Sequence, residues 1–411
     1  MHWTAWAVEH RGADAREVHV LVTAGVSADE PRAPVMLNLL VDRSGSMKGA
    51  PLAAAVEAAA QFVELARPDD FLGLVLFDGV AEQRVPVSLM DAKGKRAMSD
   101  ALKGIQTGRG TALHQAITLG LKGLQRTLVP GRRPQMLVLT DGEPSVGPDG
   151  LDAFQELGLQ LSKANVSVHA LGLAKHYVAE ILDAITQPSG NAFEHVDGPE
   201  GLGEAMGGLC ARLFGHAASE VTVRVQPQGL AAITCRHGFP TALEQDALVV
   251  TIGDVSKGLA RRVLLSGTAL ADGEWSVLLH GSGRERNDLR HQRVEFELVA
   301  EDSARGRLVL GVSHELDLVS AETAAWLSLA RKDLERAEEQ LEDAEGHLRA
   351  IVGLAPEGVP VRRHLERLGD LRMAVERGEG DIPLLIRRAQ SARAGTNVSQ
   401  VIPLQVYRQR K

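Results

Sequence analysis

The sequence is poor in cysteine and in aromatic residues, and it has no excess of basic charge. Its 411 residues include two cysteines, and Phe, Trp and Tyr together make up 3% of the chain. Two cysteines cannot form the disulfide framework of a small secreted domain, and so few aromatic rings argue against a platform for stacking bases or sugars. The 45 Lys and Arg residues against 53 Asp and Glu residues give a formal net charge of -8. This balance argues against a general nucleic-acid binder.

Long apolar runs are missing as well. No stretch of about 18 uncharged apolar residues occurs, so no membrane-spanning helix is expected. The first residues, MHWTAW, show no basic segment followed by an apolar run, so no signal peptide is expected. Cys210 and Cys235 lack the spacing of metal ligands and are expected to be reduced thiols, with a bridge between them as the alternative. These features predict a cytoplasmic protein.

Short apolar runs alternate with helical stretches from about residue 35 to residue 215. Buried apolar strands that are separated by amphipathic helices are typical of a parallel sheet covered on both faces. We therefore predict a doubly wound, Rossmann-like α/β domain over residues 34–216. Its expected strands are 35–41, 71–77, 135–140, 166–173 and 192–195, and its expected helices are 51–66, 92–105, 113–124, 151–163, 178–186 and 200–214.

The following segment, residues 217–318, alternates between apolar and polar residues with a period of two. Short alternating segments at near-regular spacing are typical of an antiparallel sandwich or barrel. We predict an antiparallel β-sandwich here, with Arg307–Val312 as its last strand. Val18–Thr23 also alternates, so we expect the strands of residues 1–33 to pair with this β-domain. The α/β domain would then be an insertion into it.

The rest of the chain has a helical pattern. Apolar residues recur at spacings of three and four from Trp326 to Ile351, and Ser320 is a suitable N-cap for the first helix. The Pro356–Pro360 segment interrupts the pattern before a second helix. We predict a helical hairpin over residues 319–395 and a solvated tail over 396–411. The hairpin should pack on itself and on the β-domain, and an intermolecular coiled coil is the alternative.

The clearest chemical signal follows the first buried strand. This strand delivers Asp42 to the carboxyl edge of the predicted sheet, where open α/β folds place their sites. Asp42, Ser44 and Ser46 then offer one carboxylate and two hydroxyl oxygens around Gly45. Hard oxygen ligands of this kind suit Mg²⁺, with Mn²⁺ and Ca²⁺ as competitors, and they do not suit zinc.

This arrangement resembles the von Willebrand factor type A domain and its metal-ion-dependent adhesion site, over about residues 35–215. The family pattern is Asp-x-Ser-x-Ser, then a Thr in a glycine-bearing loop, then an Asp after a later strand. The second and third elements match 108–113 (GRGTAL) and 139–142 (LTDG). The resemblance implies that the site captures an Asp or Glu side chain of a partner protein. It also implies a set of five metal ligands: Asp42, Ser44, Ser46, Thr111 and Asp141.

Three charged residues adjoin these ligands. Arg43 lies between the first two, and Arg109 precedes Thr111 by two positions. Either guanidinium could bind the second oxygen of an incoming carboxylate, and the alternative is that both are solvated loop cations. Glu143 could reach the metal as an internal ligand, although a role as the cap of the next helix is the simpler expectation.

The order of the three regions resembles bacterial proteins of this family that carry a so-called Vwaint domain and a helical C-terminal region. Some plant relatives of that group carry a RING finger and act in ubiquitin transfer, but two cysteines cannot supply the zinc ligands of a RING. No P-loop, no GxSxG elbow and no clustered His motif occurs. We therefore expect a non-enzymatic adaptor. The alternative is a regulatory subunit of an AAA+ ATPase system of the MoxR or magnesium-chelatase type.

Overall fold

The computed structural model describes the chain except for residues 12–14, 28–33, 130–131, 174–176, 192, 197–204, 206–207, 211, 271–273, 286–287, 357–358, 378–401 and 404–411. Two antiparallel strands, β1 (His2–Arg11) and β2 (Arg16–Gly25), precede an α/β domain. A sandwich and a helical region follow it. Among the described residues, no helix has the length and apolar character needed to cross a membrane.

The α/β domain is built on a six-stranded mixed sheet. Its strands are β3 (Met36–Asp42), β4 (Phe71–Phe77), β5 (Ala81–Leu89), β6 (Pro134–Thr140), β7 (Ser167–Leu173) and β8 (Phe193–Val196). Their spatial order is β5-β4-β3-β6-β7-β8. Every residue of β3, β6 and β7 is buried, as expected of strands covered on both faces.

Helices cover both faces of this sheet. They are α1 (Ala50–Leu65), α2 (Ala92–Leu102), α3 (Leu113–Arg126), α4 (Leu151–Lys163) and α5 (Ala179–Thr186). Apolar residues of α1 and α2 form one core with the odd-numbered side of β3, whereas α3, α4 and α5 form a second core on the other side. Of the helix predicted over 200–214, residues 200–204 lie outside the described part of the chain, and residues 208–210 and 212–214 are helical.

One edge strand corrects the prediction of a wholly parallel sheet. β5 pairs antiparallel with β4, and the turn that joins them is only residues 78–80. So short a connection can only form a hairpin, because a parallel pair needs a long crossover. Pro86 is tolerated in β5 because this strand has β4 as its single neighbour. The doubly wound α/β fold is confirmed, but the sheet is mixed.

The sandwich consists of two sheets that share one apolar core. Besides β1 and β2, its strands are β9 (His216–Gln228), β10 (Leu230–Cys235), β11 (Thr241–Glu244), β12 (Ala247–Ser256), β13 (Leu259–Ala269), β14 (Ser276–Glu285), β15 (Asp288–Val294) and β16 (Phe296–Leu298). The first sheet has the order β10-β13-β2-β1-β16, and the second has the order β11-β12-β9-β14-β15. β2 pairs with β13 over nine residue pairs, from Ala260–Gly25 to Thr268–Glu17, so Val18–Thr23 lies in the sandwich and not in the mixed sheet. The β1–β16 pair is parallel, and the other pairs are antiparallel. Ile402–Pro403 adds a short strand, β17, beside β13.

The predicted strand at 307–312 and the predicted N-cap at Ser320 are wrong. Both lie inside one long helix, α6 (Ala304–Ala330), whose N-cap is Ser303. Leu308, Val309, Val312 and Leu316 follow a helical spacing and pack on the outer face of the first sandwich sheet. The apolar stripe that predicts a strand is therefore one face of a helix.

The C-terminal region has three helices where a hairpin was predicted. α7 (Leu334–Leu354) packs on α6, and α8 (Val361–Arg377) completes a shared core. Lys332 has a φ of 62° at the break between α6 and α7, and no Gly or Pro marks this break in the sequence. The predicted tail, 396–411, lies outside the described residues except for 402–403. Cys210 and Cys235 are free thiols, and burial raises their pKa values to about 11 and about 12.

Candidate functional site

The five predicted ligands come from three loops at the carboxyl edge of the mixed sheet. Asp42 ends β3, and Asp141 directly follows β6. Because β3 and β6 are neighbouring parallel strands, their carboxyl ends lie side by side. Ser44 and Ser46 lie in the short 3-10 turn region after β3, and Thr111 lies in the loop before α3.

Hydrogen bonds connect four of these residues. The Ser44 N–H donates to Asp42 Oδ1 at 2.7 Å, and the hydroxyl oxygens of Ser44 and Ser46 are 3.1 Å apart. The Ser46 hydroxyl donates to Asp141 Oδ1 at 2.8 Å. The first loop therefore bridges the two carboxylates that end β3 and follow β6.

The sequence analysis missed one residue of this network. Thr140 ends β6, is fully buried, and donates its hydroxyl to Asp42 Oδ2 at 2.6 Å. The Gly142 N–H in turn donates to Thr140 Oγ1 at 3.3 Å. Thr140 thus fixes the orientation of the Asp42 carboxylate. A signal was present, because a hydroxyl residue ends a strand whose previous four residues are apolar.

Two buried carboxylates lie next to each other in this site. Asp42 is completely inaccessible to solvent and Asp141 is 2% exposed, whereas Ser46 is exposed. Burial raises the pKa of Asp42 to about 6, against the lowering effect of its hydrogen bonds from Thr140 and Ser44. The nearby Asp141 raises the same pKa further. Buried charges of one sign require a compensating charge, so the arrangement favours a cation.

Reciprocal backbone and side-chain bonds position Thr111. Its N–H donates to Ser145 Oγ at 3.0 Å, and the Ser145 N–H donates to the Thr111 carbonyl at 3.0 Å. Gly110 just before it has a φ of +79°, a conformation that glycine adopts without strain. The second loop is therefore held against the loop that carries Asp141.

The space beside Gly142 tests whether these residues fit a metal ion. A Cβ built on Gly142 would lie 3.2 Å from Thr111 Oγ1 and 3.6 Å from both Asp42 Oδ2 and Ser44 Oγ. Oxygen atoms of the first and second loops therefore face a space beside the third loop that one methyl group would fill. Carboxylate and hydroxyl oxygens are the donors that Mg²⁺ prefers, so the residues present fit such an ion.

Arg43 is engaged by carboxylates of the neighbouring strand and turn. Its Nε lies 3.1 Å from Asp78 Oδ2, and its Nη2 lies 3.7 Å from Glu82 Oε2. The Arg43 carbonyl accepts a hydrogen bond from the Gly108 N–H at 2.8 Å, which links the first loop to the second. The charge of Arg43 is thus offset locally, and its backbone supports the site.

Arg109 and Glu143 are both exposed at this edge. Arg109 lies in the loop that carries Thr111, so its guanidinium can reach solvent beside the candidate site. Glu143 does not cap the next helix, since α4 begins only at Leu151. The rim of the site therefore carries exposed charges of both signs.

The sandwich contacts the opposite edge of the mixed sheet. Ser167, the first residue of β7, donates to Asp254 Oδ2 of the sandwich at 2.5 Å and accepts a hydrogen bond from Asn191 Nδ2 at 2.9 Å. Arg261 of the sandwich donates to Asn191 Oδ1 at 3.0 Å. Attachment at this edge leaves the carboxyl edge, with its exposed Ser46, open to solvent.

Comparison with known proteins shows the family of the α/β domain. Residues 37–205 match the von Willebrand factor type A domain. An uncharacterised protein of Synechocystis is 27% identical over 45% of this chain and 43% of its own length. The E3 ubiquitin-protein ligase WAV3 of Arabidopsis thaliana is 24% identical over 57% of this chain and 31% of its own length. The chain thus spans less than half of either relative.

A solved structure shares the fold over most of the chain. The von Willebrand factor type A protein from Catenulispora acidiphila superposes with a TM-score of 0.67, covers 90% of this chain and 89% of its own, and is 16% identical. At this identity the likeness shows a shared fold alone. Domains of this type commonly act as metal-dependent protein-interaction modules. From the sequence match and the shared fold, residues 37–205 of this chain form a von Willebrand factor type A domain.

Proposed function

We propose that the type A domain is the docking module of an adaptor, that it holds Mg²⁺, and that it captures an Asp or Glu side chain of a partner protein. The observation that carries the proposal is the convergence of oxygens from the first and second loops on the space beside Gly142 in the third loop. The proposed ligands are the five residues introduced above: Asp42, Ser44, Ser46, Thr111 and Asp141.

Charge accounting supports an acidic partner. A bound Mg²⁺ would supply an electrophilic centre that keeps exchangeable positions. Asp42 and Asp141 would balance its formal charge, and the neutral hydroxyls of the other ligands add none. An exchangeable position of the ion would then accept one more carboxylate from another molecule, although the chain as a whole is acidic.

Arg109 is the side chain that we propose for the second carboxylate oxygen of the partner, because it is exposed beside Thr111. We propose a different role for Arg43. Its ion pair with Asp78 must open before it can contact a partner, so its first contribution is to hold the two loops together.

Metal binding is tested by two glycine variants. Gly142→Ala places a methyl group against three donor oxygens, whereas Gly150→Ala in the same loop region meets no atom within 4 Å. Titration with Mg²⁺ should raise the melting temperature of wild type and of Gly150→Ala, with a gain of about 2.7 kcal/mol at 100 times the Kd. The response of Gly142→Ala should be weaker by at least tenfold in apparent affinity. Equal responses of the two variants would show that the ion does not bind here.

Partner binding is tested by affinity capture on the full chain with Mg²⁺ or with EDTA, followed by mass spectrometry. For a captured partner, surface plasmon resonance should show loss of binding in EDTA and for Thr111→Ala. Arg109→Glu should weaken binding, and the effect should shrink at high salt, whereas Arg96→Glu on the exposed side of α2 should not. Undiminished affinity in EDTA would refute metal-dependent capture.

The same capture decides between the proposal and the alternative that the sequence left open. Metal-dependent recovery of an AAA+ ATPase would favour a regulatory subunit of a MoxR or magnesium-chelatase type system. Recovery of a protein without ATPase motifs, through an acidic residue whose replacement by Ala abolishes binding, would favour the adaptor.

A further inference from the structure

A second group of metal-binding side chains lies in the helical region. His314 and Asp317 lie on α6, and His347 lies on α7. One ligand atom from each of the three residues lies within 4.8 Å of the others. We propose that His314, Asp317 and His347 bind a divalent transition metal of the Zn²⁺ class, independently of the adhesion site.

The two imidazoles already have nearly the spacing that a shared metal ion requires. Their Nδ1 atoms are 3.0 Å apart, with ring centroids separated by 5.3 Å. Two nitrogens bound to one tetrahedral Zn²⁺ at 2.0–2.1 Å lie about 3.3 Å apart. A movement of a few tenths of an ångström would therefore admit the ion in place of the hydrogen bond that now joins the two rings.

The helices present these ligands in a suitable pattern. His314 and Asp317 are separated by three positions, so they share one face of α6, and this face meets His347 across the contact between α6 and α7. The Asp317 carboxylate also accepts a hydrogen bond from Arg236, which orients it. Two imidazoles and one carboxylate form a donor set that suits Zn²⁺ and differs from the all-oxygen set of the adhesion site.

A carboxylate lies near the second ring nitrogen of one of the imidazoles. The Nε2 atom of His347 lies 3.6 Å from Asp343 Oδ1, on the side of the ring away from His314. Histidines that bind metals commonly donate their second ring N–H to such a carboxylate, which fixes the tautomer and raises the basicity of the ligating nitrogen. Here it would leave the Nδ1 atom of His347 available for the ion.

The exposure of the cluster is compatible with metal entry. His314, Asp317 and His347 are all half-buried, so an ion can reach them from solvent. Three protein ligands leave the fourth tetrahedral position to water. Because the ligands come from two helices joined by the break at 331–333, the bound ion would fasten α6 to α7.

The test measures Zn²⁺ bound to the full chain by equilibrium dialysis with excess Mg²⁺ and elemental analysis. An Asp42→Ala, Asp141→Ala background prevents Zn²⁺ from occupying the adhesion site. In this background we expect one Zn²⁺ per chain and a rise in melting temperature. Adding His347→Gln should raise the Kd at least tenfold, whereas adding His291→Gln, an exposed residue of β15, should leave it unchanged.

Cobalt provides a second readout that does not depend on stability. Co²⁺ bound to the same background should give the visible absorption of a tetrahedral site, and His347→Gln should abolish it while circular dichroism shows retained helix. Absence of Zn²⁺ binding in the background would overturn the proposal. Binding that survives His347→Gln would overturn it as well, since the ion would then lie elsewhere.

Discussion

Replacing Arg261 by methionine should loosen the contact between the type A domain and the sandwich. Arg261 lies in β13 and is 4% exposed. Its Nη1 donates to the carbonyls of Gly190 and Ile252 at 2.7 and 2.6 Å, and its Nη2 donates to Asn191 Oδ1 at 3.0 Å. Gly190 and Asn191 belong to the type A domain, so one guanidinium joins the two domains.

The expected loss follows from the three acceptors. Burial lowers the pKa of Arg261 to about 10, so the side chain remains charged at neutral pH. Methionine removes the cost of burying this charge and fills part of the space, but it leaves two carbonyls and one amide oxygen without their donor. Each buried acceptor without a partner costs about 1–3 kcal/mol. After the gain from apolar burial we expect a net loss of about 3 kcal/mol.

The four tryptophans allow the two domains to be observed separately. Trp3, Trp6, Trp275 and Trp326 all lie outside the type A domain, so their fluorescence reports on the sandwich and helices, whereas far-UV circular dichroism reports on the whole chain. Arg261→Met should lower the urea concentration at the midpoint of unfolding. The fluorescence and circular dichroism transitions should then occur at different urea concentrations. The control Arg224→Met removes an exposed ion pair with Glu244 and should cost less than about 1 kcal/mol. An Arg261→Met midpoint equal to that of the control would refute the reasoning.

Three further predictions concern a helix cap, an ion pair and the domain boundary. Ser303→Ala should cost about 1 kcal/mol in thermal unfolding because it removes the N-cap of α6, whereas Ser320→Ala within that helix should be neutral or slightly stabilising. The hydrogen bonds from Arg16 lower the pKa of Glu9 from 4.5 to about 2, so Glu9→Gln should be less stable than wild type above pH 4.5, and the two should converge as the pH falls to about 2. We also propose that residues 34–216 form a domain: expressed alone, they should fold and keep the Mg²⁺ response, and aggregation of this fragment would contradict the boundary.

The sequence was sufficient to predict the doubly wound α/β fold, although not its antiparallel edge strand β5, and to place Asp42 and Asp141 at one edge of the sheet. Mainly apolar strands such as β3 and β6 are typical of a sheet covered on both faces, and their parallel pairing brings Asp42 and Asp141 to the same edge. The fold prediction is confirmed because short apolar strands alternate with amphipathic helices along this part of the chain. Whether the five residues bind an ion remains a prediction.

Other elements could not be predicted because tertiary contacts determine their conformation. The apolar residues of the segment 307–312 fit both the period of a strand and the period of a helix. The packing of Leu308 and Val309 on the sandwich favours the helix. The residues of β5 alternate only weakly between apolar and polar types, and the strand is half-exposed because it lies at the edge of the sheet. Arg261 gives no signal in the sequence, since a strand residue of this type is ordinarily solvated.

The strand β6 runs from the edge of the sheet that contacts the sandwich to the carboxyl edge that carries the candidate site. At its amino end, Arg133 forms an ion pair with Asp254 of the sandwich. At its carboxyl end, Thr140 holds Asp42 and is followed by Asp141. All seven residues of β6 are buried between hydrogen-bonded neighbours, and such close-packed strands resist bending. If the proposed capture of a partner occurs at the carboxyl edge, β6 would therefore hold that partner in a fixed orientation relative to the sandwich.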